Sequence, residues 1–137
     1  LGFADLSPEL SRDFRGLRVW LPLMLHGVAA FREQLAEKLS LARWAYRELA
    51  ADPRFEMLDE PQLSVVAFRL RAPAEDADRL GPELLRRVNA RRRVFLSSTR
   101  MDGRYVLRLC VLSFRTHEDR VRDAVVALKE EAAALLG

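Results

Sequence analysis

The chain of 137 residues is poor in the side chains that most often build metal, redox and nucleophilic sites. It has one cysteine, two histidines and two lysines. A single cysteine excludes an internal disulfide and a thiolate zinc site. Cys110 lies in an apolar run, so it is expected in the core as a small hydrophobe. His26 and His117 are too far apart in sequence to form a metal motif. His26 is expected to be structural or interfacial, and His117 to help cap a helix. There is no phosphate-cradling glycine loop, no GxGxxG and no nucleophile elbow. Carboxylates fall mostly on expected helix surfaces, and no acid–base pair can be assigned. Motifs alone therefore assemble no complete active site. Long hydrophobic runs are also missing. The stretch from Val19 to Phe31 is uncharged, but it is too short to span a bilayer and is interrupted by Pro22 and Gly27. No secretory leader is recognised, so the cytoplasm is the default compartment and no membrane partner is expected. Repeats and low-complexity segments are absent.

What remains is ordinary globular material, 50% hydrophobic and 31% charged. The net charge is +3, and arginine supplies nearly all the cations. The run "RRVNARRRV", Arg86 to Val94, is the one candidate nucleic-acid patch. It has no interleaved aromatic platform, as single-strand binding wants. Cations at a helix C-terminus are favoured by the helix dipole in any case, so nucleic acid is not expected as a partner. Lys38 and Lys129 read as helix-surface residues.

Two helical segments open the chain. Ser7 is a candidate N-cap, with Pro8 and Glu9 suited to a first turn. Leu10, Phe14, Leu17 and Leu21 recur at helical spacing until Pro22 and Gly27 interfere. A second, amphipathic helix runs from Gly27 to Asp52-Pro53, with Val28, Phe31, Leu35, Leu39, Ala42, Tyr46 and Leu49 inward. Its solvated face carries Glu37 and Lys38 among others. The period then changes. Phe55 to Leu58 and Leu63 to Leu70 read as strands. A third helix begins near Asp76 or Asp78, with Gly81-Pro82 disturbing its first turn and Leu80, Leu84, Leu85 and Val88 inward. Two further strands, "VFLSSTRM" and "RYVLRLCVLSF", are joined by Asp102-Gly103, the strongest short hairpin signal. A last helix is capped by Thr116 and has Val121, Val125, Leu128, Ala132 and Leu135 inward. Helices gathered on one face of an antiparallel sheet make an α+β fold.

The hairpin fixes a register. A two-residue loop pairs Met101 with Arg104, Thr99 with Val106, Ser97 with Arg108 and Phe95 with Cys110. Tyr105, Leu107, Leu109 and Val111 then form an apolar floor for the helices. Arg108 shares the other, mixed face with Val106, Cys110 and Leu112. A guanidinium in an otherwise greasy strand either snorkels to water or waits for an anion, which it matches bidentately when that anion is a carboxylate.

The segment "LSRDFRGLRVWLPLMLHGVAAFREQL", Leu10 to Leu35, has Ser11, Arg12, Phe14, Arg15, Leu17, Trp20 and Gly27 at telling positions. It closely resembles the start of the C-terminal part of the group II pyridoxal-phosphate-dependent amino-acid decarboxylases, the aromatic-L-amino-acid and glutamate decarboxylase family. That family has a run of the form S-R-R-F-R-x-L-K-x-W, an apolar stretch, and a glycine starting the next helix. The likeness continues through "DPRFEML", "VVAFRL", "LLRRVNA" and "YVLRLCVLSFRTHEDRV" and covers essentially the whole chain. Asp13 and Arg18 depart from it, standing where Arg and Lys are usual.

The resemblance implies an α+β fold, the small C-terminal domain of an aspartate-aminotransferase-like (fold-type I) enzyme. An antiparallel sheet carries helices packed on one face and follows a connecting helix. Residues 1–33 are then the end of the large domain and the connecting helix, and residues 34–137 the C-terminal small domain. The implied parent is a homodimeric carboxy-lyase using pyridoxal 5'-phosphate on an amino acid, and the fragment is inert alone. The family's Schiff-base lysine lies in a Ser/Asn-x-His-Lys type motif that does not occur here. The resemblance also implies that Arg108 faces the cleft and binds substrate, since glutamate decarboxylases place an arginine there against a substrate carboxylate. Aromatic decarboxylases keep an arginine at that place too, so it does not identify the substrate. Cut loose, the first helical segment should expose its apolar surface and self-associate. The alternative is a stand-alone α+β module binding a small anion through Arg108. A nucleic-acid binder using Arg86 to Arg93 comes third.

Overall fold

The computed structural model describes Asp5 and residues 13–137. The expected cap at Ser7 and the start of the first helix near Leu10 lie outside these residues. The chain divides into two compact units, residues 1–33 and 34–137.

In the first unit, a turn at 14–16 leads into α1 (Leu17–Ala50). The helix is interrupted at Gly27, where φ is 76° and ψ is 160°. Only glycine takes that conformation cheaply, so a break there is what the residue supplies. The two departures from the family run, Asp13 and Arg18, form an ion pair with each other. No residue from 13 to 33 is buried.

The second unit holds the remainder of α1, the sheet, and two further helices. The strands are β1 (Phe55–Met57), β2 (Val65–Leu70), β3 (Ser97–Met101) and β4 (Arg104–Cys110). Their spatial order is β1-β2-β4-β3, antiparallel throughout. The β3–β4 hairpin has the expected register: Ser97 faces Arg108, Thr99 faces Val106 and Met101 faces Arg104. Asp102 and Gly103 both have positive φ, 50° and 77°. That pair of angles matches the right-handed twist of the flanking strands. The ladder ends at Ser97, so Phe95 stands beyond it and is exposed. β2 lies beside β4, to which it is linked only through α2 and β3.

One face of the sheet is the core. Val66, Phe68, Leu70, Leu107, Leu109 and Val111 are buried there with Phe55, which meets Phe68 edge to face at 5.6 Å. The helices α2 (Ala74–Ala90) and α3 (Glu118–Leu136) complete it with Leu84, Val88, Val121, Val125 and Leu128. Each such side chain contributes about 1.5–3 kcal/mol by leaving water.

Three helix details differ from expectation. The buried stripe of α1 is Lys38, Leu41, Ala42, Ala45 and Leu49, while Val28 and Leu35 are exposed. Two alanines let the helix approach closely, so the buried stripe is rotated away from the larger apolar residues. Helix α2 begins earlier, at Ala74 after Pro73, and Gly81-Pro82 sits in its interior. There Gly81 is pressed on Tyr105: a Cβ would lie 2.5 Å from the ring's Cδ1. Asp78 on the same helix accepts the Tyr105 N–H at 2.8 Å, beyond Phe68–Leu107, the last β2–β4 pair. Helix α3 has His117, not Thr116, at its N-cap, and no side chain caps it. The Thr116 carbonyl is instead held by Lys38 Nζ at 2.7 Å.

Candidate active-site face of the sheet

The face opposite the helices is built by strand alternation. It carries Glu56 on β1, Val65, Ala67 and Arg69 on β2, Arg104, Val106, Arg108 and Cys110 on β4, and Ser97, Thr99 and Met101 on β3. Two arginines on this face have opposite fates. Arg69 stands across from Glu56 and grips it bidentately, Nε to Oε2 at 2.8 Å and Nη2 to Oε1 at 2.5 Å. That guanidinium holds the Glu56 carboxyl below its ordinary pKa.

Arg108 has no such partner. Its cross-strand neighbours are Ala67 on β2 and Ser97 on β3. Neither carries a charge. The side chain is half-buried, and its Nε is buried with no hydrogen-bond partner among the described residues. Buried donors are almost always paired, so an orphan of this kind points to a missing acceptor. The chain itself covers Nε, so an anion arriving from the side away from the helices meets the outer part of the half-buried side chain.

The surroundings of Arg108 are apolar toward one end. Val65 pairs with Cys110, and beyond them stand Leu63 at 71% exposure and Leu112 at 67%. Phe95, at 85%, has the strand parity that puts it on the same side. Cys110 is exposed rather than in the core, because it lies on this side near the strand's end.

The other candidates resolve into structural contacts. In the basic run, Arg86 and Arg87 pair with Glu83, whose pKa falls to about 2 through those hydrogen bonds. Arg91 grips Glu130 and Glu131, and Arg93 grips Asp123. These acids neutralise most of the stretch. His117 Nδ1 meets Glu37 Oε1 at 2.8 Å instead of capping its helix. Lys38 is 4% exposed, against the expectation of a surface position, and bonds Glu37 Oε2 at 2.7 Å as well as Thr116. Lys38 and then His117 hold the Glu37 carboxyl below its ordinary pKa. Lys129 pairs with Glu48 at 2.9 Å. Among the described residues no group of acids, histidines and cysteines could hold a metal, and no helix is long and apolar enough to cross a membrane.

With this geometry in hand, comparison with known proteins is decisive. The pyridoxal-dependent decarboxylase conserved domain matches residues 3–71. The chain belongs to the pyridoxal-dependent decarboxylase family. Tryptophan decarboxylase 2 of Oryza sativa subsp. japonica is 34% identical over 138 residues, covering 98% of this chain and 28% of that protein. The aromatic-L-amino-acid decarboxylase of Manduca sexta is 33% identical, covering 93% of this chain and 26% of its own length. The crystal structure of Oryza sativa TDC with PLP and tryptamine superposes with a TM-score of 0.89 at 30% identity, covering 98% of this chain and 30% of that one. The chain thus spans under a third of the length of these relatives, as a C-terminal portion of a group II decarboxylase. Its α+β layout is that of the small domain of fold-type I enzymes. These comparisons give no support to a free-standing anion-binding module.

Both lysines are committed, Lys38 to Glu37 and Thr116 and Lys129 to Glu48. Sequence reasoning placed Arg108 and Ser97 together through the hairpin. It missed Ala67, because the β2–β4 pairing joins strands separated by a helix and a strand, and no local pattern announces it.

Proposed function

We propose that this chain is the C-terminal part of a homodimeric, pyridoxal-phosphate-dependent decarboxylase acting on an aromatic amino acid. Residues 1–33 close the large domain and supply the connecting helix, and residues 34–137 are the small domain. The Schiff-base lysine and the rest of the cofactor site belong to the upstream part, so this piece alone is inert. The cofactor supplies an electron sink for the decarboxylation. Arg108 faces the cleft and helps position the substrate there, and the flanking apolar row packs against the upstream part. The aromatic assignment follows the named activities of the rice and Manduca sexta relatives.

The observation that carries the role of Arg108 is its buried, unpaired Nε on the sheet face away from the helices. Every other partly buried cation discussed above has its acid within this chain. The test is Arg108→Ala in the full-length parent, assayed by carbon dioxide release on a panel of amino acids. Losing a charged positioning contact should lower kcat/KM roughly 100-fold. Arg108→Lys should recover little, since a point charge does not reproduce the planar fork. Unchanged kinetics in both variants remove Arg108 from the site.

A further inference from the structure

Strand β4 outruns its partner β3. We propose that the open end of β4, residues 109–111, seats a short extended segment of the parent's upstream part, which adds to the sheet through main-chain hydrogen bonds; this rests on the reading of the chain as a C-terminal portion given above. The β3–β4 ladder ends at the pair Ser97 and Arg108. In an antiparallel pair every second couple exchanges hydrogen bonds, so the next couple in register is Phe95 with Cys110. That couple is not made. No hydrogen bond reaches the main chain of Phe95 or Cys110 among the described residues.

The direction of the free groups follows from the other side of the strand. Val111 donates its N–H to the Ser64 carbonyl at 2.8 Å, so its main chain is turned toward β2. Alternation then turns the Cys110 N–H and C=O the other way, into the place that β3 has left. That place is a groove of about 290 Å³. It is lined by Val94 and Phe95, by Cys110 and Val111, and by Arg120 and Val121 of α3, among others. Val111 and Val121 are buried, so much of the lining is apolar. Bare strand edges are ordinarily blunted by a charge, a proline, a bulge or a cover. The stretch Leu-Cys-Val at 109–111 has neither charge nor proline.

The occupant follows from this chemistry. A free amide and carbonyl on a strand edge fit another main chain, and an apolar groove beside them fits one of its side chains. Charge narrows the choice further. Arg93 and Arg120 line the groove, and no acid does. Arg93 is held by Asp123 at 2.8 Å, whereas the carboxylate neighbour of Arg120, Asp119, stands at 3.6 Å and is exposed. The segment therefore carries an acidic residue beside Arg120. A second copy docked about a two-fold axis sets the same arginines against themselves, which disfavours it. The relatives are more than three times as long as this chain, and their remaining length is where such a segment belongs.

The experiment uses the full-length holoenzyme. Amide hydrogen exchange is read residue by residue, and a photo-crosslinking p-benzoylphenylalanine replaces the exposed Phe95. The Cys110 amide should exchange roughly 100-fold or more slowly than an unstructured amide. The crosslink should map to residues upstream of Leu1. Arg120→Glu should speed exchange at Cys110 about fivefold, the loss of one exposed ion pair, while Arg120→Lys should leave it as it was. The Val111 amide, which bonds Ser64, is the internal control. If Arg120→Glu moves Val111 as much as Cys110, the effect is general loosening and the inference falls. Exchange of Cys110 at the free-amide rate overturns it, as does a crosslink into residues 1–137 of a second copy. Carbon dioxide release by the same holoenzyme reports on the parent reading separately. An active enzyme with an unprotected Cys110 keeps that reading and loses the docked segment. A protected Cys110 with an upstream crosslink, in a protein inert toward every amino acid, keeps the docked segment and loses the assigned activity.

Discussion

Lys38 and Arg108 are each cations among apolar neighbours, and they differ in whether the chain supplies the counter-group. Lys38 is buried on the stripe of α1 that faces the core, yet its Nζ reaches Glu37 and the Thr116 carbonyl, both at 2.7 Å. It thereby ties α1 to the turn that precedes α3. Its position was legible in principle: it stands three and four residues before Leu41 and Ala42, on their face of the helix. The larger Leu35 and Leu39 drew the inward face elsewhere, and a charged side chain argued for solvent. Lys38→Ala removes the chief partner of Glu37 and leaves a part-buried carbonyl without its donor. We expect a loss of about 1–3 kcal/mol in urea unfolding of the 137-residue chain. A midpoint shift too small to resolve, with an unchanged slope, would show that water replaces Lys38 at no cost. Arg108 is the reverse case: strand alternation announces its face from sequence, and its unpaired nitrogen emerges only from the fold.

Helix α2 and the hairpin show which features of an element are written locally. Asp102-Gly103 sets the β3–β4 register locally, because only one turn geometry suits two positive φ values between twisted strands. The start of α2 is less legible: Asp76 and Asp78 are better N-cap types than Pro73, yet the helix begins at Ala74 with no side-chain cap, and Gly81-Pro82 lies in its interior and not its first turn. The glycine is there for a partner distant in sequence. Tyr105 of β4 lies where a Cβ would sit, so α2 can approach the sheet only with hydrogen at residue 81. Gly81→Ala therefore sets two effects in opposition. The helix interior gains up to about 1 kcal/mol of propensity. Overpacking against a ring costs about 1–3 kcal/mol. The clash should win, because Tyr105 is pinned through its own backbone by Asp78. A lowered Tm in the Ala variant, partly relieved by Tyr105→Leu, is the expected pattern. A raised Tm would mean that the ring moves aside freely.

At the scale of the whole molecule, each of the two units exposes large apolar groups of its own. Val19, Trp20, Met24 and Leu25 are exposed in the first unit; Leu63, Phe95, Leu112 and Phe114 are exposed in the second. Isolated exposed leucines need no explanation, but contiguous apolar patches on a monomer are uncommon and mark covered surfaces. A chain that spans under a third of its relatives is expected to leave such surfaces bare. The hydrophobic effect then acts between copies instead of between parts of one molecule. The 137-residue chain alone should self-associate at roughly 100 µM, the range where exposed apolar surface drives aggregation. Sedimentation velocity across a dilution series would detect it. Phe95→Glu with Leu112→Glu, and separately Trp20→Glu with Met24→Glu, should each shift the distribution toward monomer while leaving the melting temperature of the core unchanged, since none of the four is buried. A chain that stays monomeric throughout the series does not need the covering part, and the apolar row beside Arg108 then loses its meaning as a docking surface.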